Sequence, residues 1–353
     1  MALLHLDRAH LEVKTEGETL ALYESGQRRG TVPIALIDRC IIHGSHTLLD
    51  TGVLQKLAEA GVTTVLMSPR NQRRFAIVLG PQHNDAAVRL AQAARVLDDT
   101  WCRTWALATV TAKLARQCRT LRTLMAQRPD ARKPLFDALT LLSPQLAELR
   151  ANLGSSAYSH TDLPPPNTPN TPNTSPTVPS LDSLRGREGA AARAYFSGLM
   201  GVFAPALTFT GRNRRPPRDP VNAVLSLGYT LLHAQAVQAC VAAGLDPLLG
   251  FYHRPSFGRE SLASDLIEPL RPAVDLWVWE CFKDQTLRAD HFNHDKGACL
   301  MGKAGRQSFY AAWEERQAPW QRWLRRQARQ LAAQMRAQGQ VWVANPADEE
   351  EPC

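Results

Sequence analysis

Two hydrophobic periods divide the chain. Over the first eighty residues apolar and polar positions alternate in short runs, Ala2–Leu6, His10–Lys14 and Thr19–Tyr23, the spacing of half-buried strands. Ser25-Gly26-Gln27 then makes a turn before Gly30–Ile34, a hairpin pattern. Arg39–Ile42 and Thr63–Met67 predict two further strands around a helix from Leu48 to Ala60, which Gly61 ends. From about Asp85 the period becomes helical and stays so. Within 103–133, Leu107, Val110, Leu114, Leu121 and Met125 fall on one half of a helix. Lys113, Arg116, Arg119 and Arg122 recur every third position and sweep the other half.

Later helices are marked by their starts. Asp182 or Ser183 predicts the cap of a helix running through Glu188 to Met200. Asp219-Pro220, a capping residue followed by proline, predicts an uncharged helix that ends at Gly244. That stretch, Val221 to Leu245, carries Asn222, Ser226, His233, Gln235 and Gln238, and reads as a core helix with Tyr229 inside it. Ser261 to Ile267 forms another helical segment, which Pro269 and Pro272 must end or kink.

A chain of 353 residues exceeds the size at which one core keeps growing, roughly 250–300 residues, so two domains are expected. The periods assign an α+β fold: a small β-rich N-terminal domain, residues 1–83, and a larger all-α domain, residues 84–344. Residues 164–180 read PPPNTPNTPNTSPTVPS. Such a composition cannot bury enough surface to order itself, and predicts a flexible Pro/Asn/Thr insertion at about 162–181. Residues 345–353 form an acidic tail.

Charge adds a partner class without deciding it. Of 41 basic residues only seven are lysine, and the formal net charge is +8. Arginine forks fit phosphate oxygens, so this bias suits a polyanion, while a GC-rich genome produces the same bias. The basic half of 103–133 is accordingly either a solvated face or a phosphate-tracking ridge. The seven cysteines are widely spaced with no CxxC pair, which reads as reduced thiols in a cytoplasm and no zinc framework. The N-terminus alternates like a strand rather than a signal peptide, and no membrane association is expected.

Candidate chemistry rests on few positions. Apart from Arg187, Glu188 has only small neighbours in Gly186-Arg187-Glu188-Gly189-Ala190. His253 sits on a loop between Gly250 and Gly258, and Asp265 and Glu268 are three apart on a helical segment. Carboxylates plus one imidazole make an oxygen-rich set suited to Mg²⁺ or Mn²⁺. By spacing alone they equally read as ion pairs, a core histidine and a solvated helix face. His291 and His294 fall in a polar stretch expected to be a surface loop. No GxxxxGK[ST] and no GxSxG occur, so a P-loop and a nucleophile elbow are excluded.

Four blocks between Leu184 and Arg271 narrow this further: LRGREGAAARAYF, RRPPRDPVNAVLSLGYTLL, GLDPLLGFYHRPSFGRES and LASDLIEPLRP. In order and spacing they resemble the CRISPR-associated integrase family, the metal-dependent DNA endonucleases of spacer acquisition. GACLMGKAGRQSFYAAWEER resembles that family's C-terminal pattern. The resemblance implies that Glu188, His253 and Glu268 bind a divalent metal, Mg²⁺ or Mn²⁺, with Asp265 binding it directly or supporting it. It implies that Arg218, Asp219 and Asn222 frame the entrance, and that the site joins 3′-hydroxyl ends of short DNA fragments to the repeat array by transesterification. Double-stranded DNA would be held by Lys113, Arg116, Arg119, Arg122, Arg212, Arg214, Arg215 and Arg218. A homodimer through the β-rich domain, with a small Cas partner protein, is also implied. A branched-DNA nuclease of repair and a non-catalytic DNA-binding scaffold remain the alternatives.

Overall fold

The computed structural model describes residues 2–43, 46–68, 74–80, 83, 85–153, 178–213 and 216–343. The acidic tail, nearly all of the Pro/Asn/Thr insertion, and Arg214 and Arg215 lie outside the described residues. The chain divides into two compact units, and the division is not sequential. One comprises residues 1–82, 213–234 and 284–318, the other 83–212, 235–283 and 319–353. Eight of the strands among the described residues lie before residue 79, and two later segments, residues 213–234 and 284–318, group with them.

The first unit is built from β1 (Ala2–Leu6), β2 (Leu11–Glu16), β3 (Thr19–Glu24), β4 (Gln27–Pro33), β5 (Ile37–Ile42), β6 (Leu48–Leu49), α1 (Thr51–Glu59), β7 (Thr63–Met67) and β8 (Arg74–Val78). One four-stranded sheet has the order β1-β5-β7-β8, with β1, β5 and β7 parallel and β8 antiparallel. The other, β4-β3-β2-β6, is a meander to which β6 adds in parallel. The β3–β4 link is two residues, Ser25 and Gly26, both at positive φ (53° and 76°). A two-residue turn with both φ positive matches strand twist, and Gly26 takes that conformation without strain. Val13, Leu20, Ile34, Val53 and Leu57 form the centre of the core of this unit.

Helix α1 is shorter than the sequence predicts. The Asp50 carboxylate accepts from the Gly52 amide at 3.0 Å, which starts the helix at Thr51 and leaves Leu48–Leu49 extended against Glu12–Val13. Gly61, at φ 71°, ends the helix as expected.

The second unit is helical: α2 (Ala86–Leu97), α3 (Asp99–Gln127), α4 (Arg132–Asn152), α5 (Leu181–Met200), part of α6 (Pro220–Ala242), α7 (Ser261–Ile267), α8 (Arg271–Lys283) and the later part of α9 (Lys303–Gly339). Helix α5 starts one residue before Asp182, because Ser180 Oγ accepts from the Ser183 amide at 3.2 Å. Gly198 of α5 lets α4 approach: a Cβ there would sit 2.7 Å from Ala138 Cβ and 3.2 Å from Pro134 O. Asp219 caps α6, accepting from the Asn222 amide at 2.8 Å. By length and apolarity α6 could cross a membrane, but 72% of its most apolar window is buried in protein, as befits a core helix.

The stretch after α8 holds a correction. Phe292–Asp295 (β9) pairs antiparallel with Ala298–Met301 (β10), so His294 lies in a hairpin strand, not a loop. Strand β9 reads FNHD, whose polar run hides the alternation that marks a strand.

Candidate active site

Helix α3 lies at the centre of the second unit, and its burial decides the site. Leu107, Val110, Leu114 and Leu121 are buried as their period predicts, but Lys113, Gln117 and Thr120 are buried as well. The basic positions therefore do not form one solvent-facing ridge. Lys113 Nζ, on a residue only 8% exposed, donates to Oε1 of Glu188 on α5 and, at 2.5 Å, to Oε2 of Glu268 in the turn after α7. Arg116 donates to the Pro269 carbonyl at 2.9 Å and stacks 5.0 Å from the Trp323 ring centre. Burial, then the charge of Arg119, pulls its guanidinium down to about 10. Arg119 and Arg122 alone of the four remain exposed. A cavity of about 330 Å³ opens beside them, lined by Arg116, Arg119, Trp320 and Trp323 among others.

Glu268 is buried and keeps its charge. Burial opposes the carboxylate, but Arg271 Nε at 3.0 Å and the Lys113 ammonium outweigh it and hold the carboxyl at about 2. Glu188 is more open, and a Cβ at the neighbouring Gly186 would meet nothing within 4 Å.

The histidine is set by a single carboxylate. Asp265, 1% exposed, accepts from the Phe251 and Tyr252 amides through Oδ2 at 2.8 and 2.9 Å. Its Oδ1 accepts from the His253 amide at 2.9 Å and pairs with His253 Nδ1 at 2.7 Å. An ionised carboxylate only accepts, so Nδ1 carries the ring hydrogen and Nε2 presents its lone pair. All four lone-pair sites of Asp265 are thereby used. This geometry makes Asp265 the residue that positions His253, the supporting one of the two roles the resemblance allows.

Backbone packing holds the same loop. A Cβ at Gly250 would lie 2.6 Å from the Ser261 carbonyl carbon and 2.8 Å from His253 O, so only glycine fits where the loop folds back on α7. Arg185 of α5 donates to Tyr252 O at 3.1 Å. Gln92 of α2, fully buried, donates to the Asp246 and Leu249 carbonyls and accepts from the Asp246 amide, each at 2.8 Å. Burial, together with the charges of Glu188 and Glu268, pushes the Tyr252 phenol up, so it stays protonated.

Three sequence-predicted residues, Glu188, His253 and Glu268, thus meet in one unit from α5, a loop and the turn after α7, at the side of α3 that carries Lys113. The Lys113 ammonium takes the place between the two carboxylates. Two carboxylates that already share one cation, with an imidazole nitrogen of fixed tautomer, make a donor set that fits a divalent ion. Lys113, Arg271, Arg185 and Gln92 were missed by sequence reasoning as parts of this site. Lys113 carried a faint signal as the lone lysine in an arginine ridge, and Gln92 as a polar residue on the face of Val88 and Ala91.

Of the other expected residues, Arg212 is half-buried and Arg218 is exposed. Asp219 and Asn222 serve the α6 start: Asp219 Oδ2 accepts from Asn222 Nδ2 at 2.6 Å and from Asn213 Nδ2 at 3.1 Å. The Arg218 amide donates to Asn213 Oδ1 at 3.0 Å. Tyr229 is buried in the core.

The family model described as CRISPR associated protein Cas1 matches residues 4–315. The chain belongs to the Cas1 family. It is 32% identical over 317 residues to a CRISPR-associated endonuclease Cas1 of Thermodesulfovibrio yellowstonii, covering 89% of this chain and 91% of that one. Its fold is similar to that of a casposase bound to integration product, with a TM-score of 0.75, 20% identity, and coverage of 99% and 97%. It is similar as well to a chain of a Cas6-RT-Cas1–Cas2 complex, with a TM-score of 0.73, 22% identity, and coverage of 96% of this chain and 35% of that one. The β-rich start and helical remainder of the Cas1 fold are those expected from the two periods.

Proposed function

We propose that this Cas1 family member is a divalent-metal-dependent DNA endonuclease and integrase of CRISPR adaptation. The observation that carries the reading is the meeting of Glu188 and Glu268 on one cation, Lys113, beside the aligned His253. Glu188, Glu268 and His253 Nε2 would hold Mg²⁺ or Mn²⁺, which supplies activation of a 3′-hydroxyl and neutralisation of charge at the phosphodiester.

The chain's own residues do the rest. Asp265 keeps the His253 proton on Nδ1 and so keeps Nε2 free. Arg271 keeps Glu268 ionised, and Tyr252 stays protonated beside the histidine. Lys113, which bridges the two carboxylates, would offer its ammonium to the reacting phosphate when a metal takes that bridging place. In strand joining, the fragment's 3′-oxygen forms a new P–O bond as the repeat strand's 3′-oxygen leaves and takes a proton, with no covalent enzyme intermediate. Arg119, Arg122, Arg212 and Arg218 would hold duplex backbone, and the arginine–tryptophan cavity suits an unstacked base. A homodimer with a small Cas partner in the cytoplasm fits the fold likeness to a Cas1–Cas2 assembly and the reduced, buried cysteines.

The test is strand transfer by Glu188→Gln, His253→Ala and Glu268→Gln with Mn²⁺. Each is expected to lose joining while duplex binding and folding persist. Full joining by all three overturns the assignment. Hydrolysis without joining by the unmodified chain would instead mark a branched-DNA nuclease, and EDTA-insensitive binding with no chemistry a scaffold.

A further inference from the structure

A second cluster of ligand-type side chains lies in the β-rich unit, in residues the proposed reaction does not use. Strands β1, β5 and β7 are parallel. At or just past their carboxyl ends stand His5 and Asp7, then His43, then Ser68. That edge is where open sheets with parallel strands take ligands. One donor atom each from His5, Asp7 and His43 lies within 4.8 Å of the other two.

The histidines are arranged as ligands. His43 is 1% exposed and its Nε2 meets the Ser68 carbonyl at 3.0 Å. A carbonyl only accepts, so the ring hydrogen sits on Nε2 and the lone pair on Nδ1. That Nδ1 is buried with no hydrogen-bond partner, as is Nε2 of His5. The His5 ring packs with its centroid 3.8 Å from that of Tyr310 on α9. An imidazole with one nitrogen tied to a carbonyl and the other bare is how a ligating histidine is held. Asp7 adds an oxygen donor. Arg306 takes one lone pair from each Asp7 oxygen, at 3.0 and 3.1 Å, which leaves one on each.

We propose that His5, His43 and Asp7 form a second metal site, separate from Glu188, His253 and Glu268, that takes zinc. Two nitrogens and one oxygen suit a borderline dication, and three protein ligands leave a fourth tetrahedral position for water. Magnesium, which prefers oxygen ligands, is a poor match. Arg306 already offsets the Asp7 charge, so affinity rests mainly on the imidazoles. The ion would join the ends of β1 and β5, within the unit that also holds Tyr310 and Arg306.

The experiment uses the full-length chain carrying His253→Ala and Glu188→Gln, which removes the first site as a source of retained metal. After chelation, zinc loading and dialysis, about one zinc per chain is expected by elemental analysis. Adding His43→Gln or, as a second variant, His5→Gln is expected to weaken zinc binding at least tenfold, with the circular dichroism spectrum retained. Anomalous scattering at the zinc edge from crystals of the unmodified chain is expected to show a peak between His5 and His43. No zinc retained by the double variant, or zinc peaks only elsewhere, overturns the proposal.

Discussion

Replacing Lys113 with methionine keeps most of the side chain's length and deletes its charge. In the wild type that ammonium serves two carboxylates, one of them buried. Removing one partner of a buried ion pair costs about 3–5 kcal/mol, because the other charge is left uncompensated. Arg271 still faces Glu268 at 3.0 Å, so the lower end, about 3 kcal/mol, applies. For a body of the helical unit's size each kcal/mol moves the melting temperature by roughly 2–4 °C. Lys113→Met should therefore melt about 6–12 °C below wild type in EDTA. A divalent ion replaces the missing charge, so Mn²⁺ should raise the variant's melting temperature by more than the wild type's. Scanning calorimetry of both proteins, with and without Mn²⁺, reads all four values. A variant that melts within 1 °C of wild type in EDTA, with the same Mn²⁺ response, would refute the cation-bridge reasoning.

Further outcomes follow from the same geometry. Asp265→Asn places an amide group against hydrogen-bond donors; at about 1–3 kcal/mol for each unsatisfied buried amide, chemical denaturation should show a loss of at least about 2 kcal/mol. Strand transfer should fall with it, while Asp265→Glu recovers neither if the four-bond arrangement is what matters. Glu268 has a folded-state pKa of about 2 against an ordinary 4.5, so it binds fewer protons folded than unfolded. Its contribution is complete above 4.5 and lost as pH falls towards about 2; Glu268→Gln should flatten the acid limb of stability in that window and leave the slope near neutrality unchanged. Charge reversal at Arg119 and Arg122 should weaken duplex binding and flatten its salt dependence; an unchanged slope returns them to ordinary solvated arginines.

Much of this site was legible because Glu188, His253 and Glu268 stand in blocks that resemble a family, not because their spacing gathered them. Lys113 is 75 positions from Glu188 and 155 from Glu268, and no local period reports a meeting over such separations. The ridge at 113–122 misled for a related reason. Helical period identifies two faces, but α3 is enclosed on more than one side, so its basic face has no uniform environment. Local rules did better where local forces decide: the Asp219 cap, the Gly61 and Gly244 stops and the Ser25-Gly26 turn are all in place. They failed at Leu48–Leu49, where a capping carboxylate outcompetes propensity, and in β9, where four mostly polar residues carry no alternation.

The bond network of Asp265 has a kinetic consequence. His253 and the carboxylate that aims it are 12 positions apart, and every group Asp265 holds lies in one short stretch of chain. Closing so small a loop costs little entropy, and contacts between sequence neighbours form early in folding. The acidic half has the opposite character, since α3, α5 and the turn after α7 must all have docked before Glu188 and Glu268 can share a charge. His253 is therefore expected to be in place first, and at the proposed site metal affinity would come only with completion of the helical unit. A folding reaction followed by Mn²⁺ uptake would lag one followed by protection of the Phe251, Tyr252 and His253 amides.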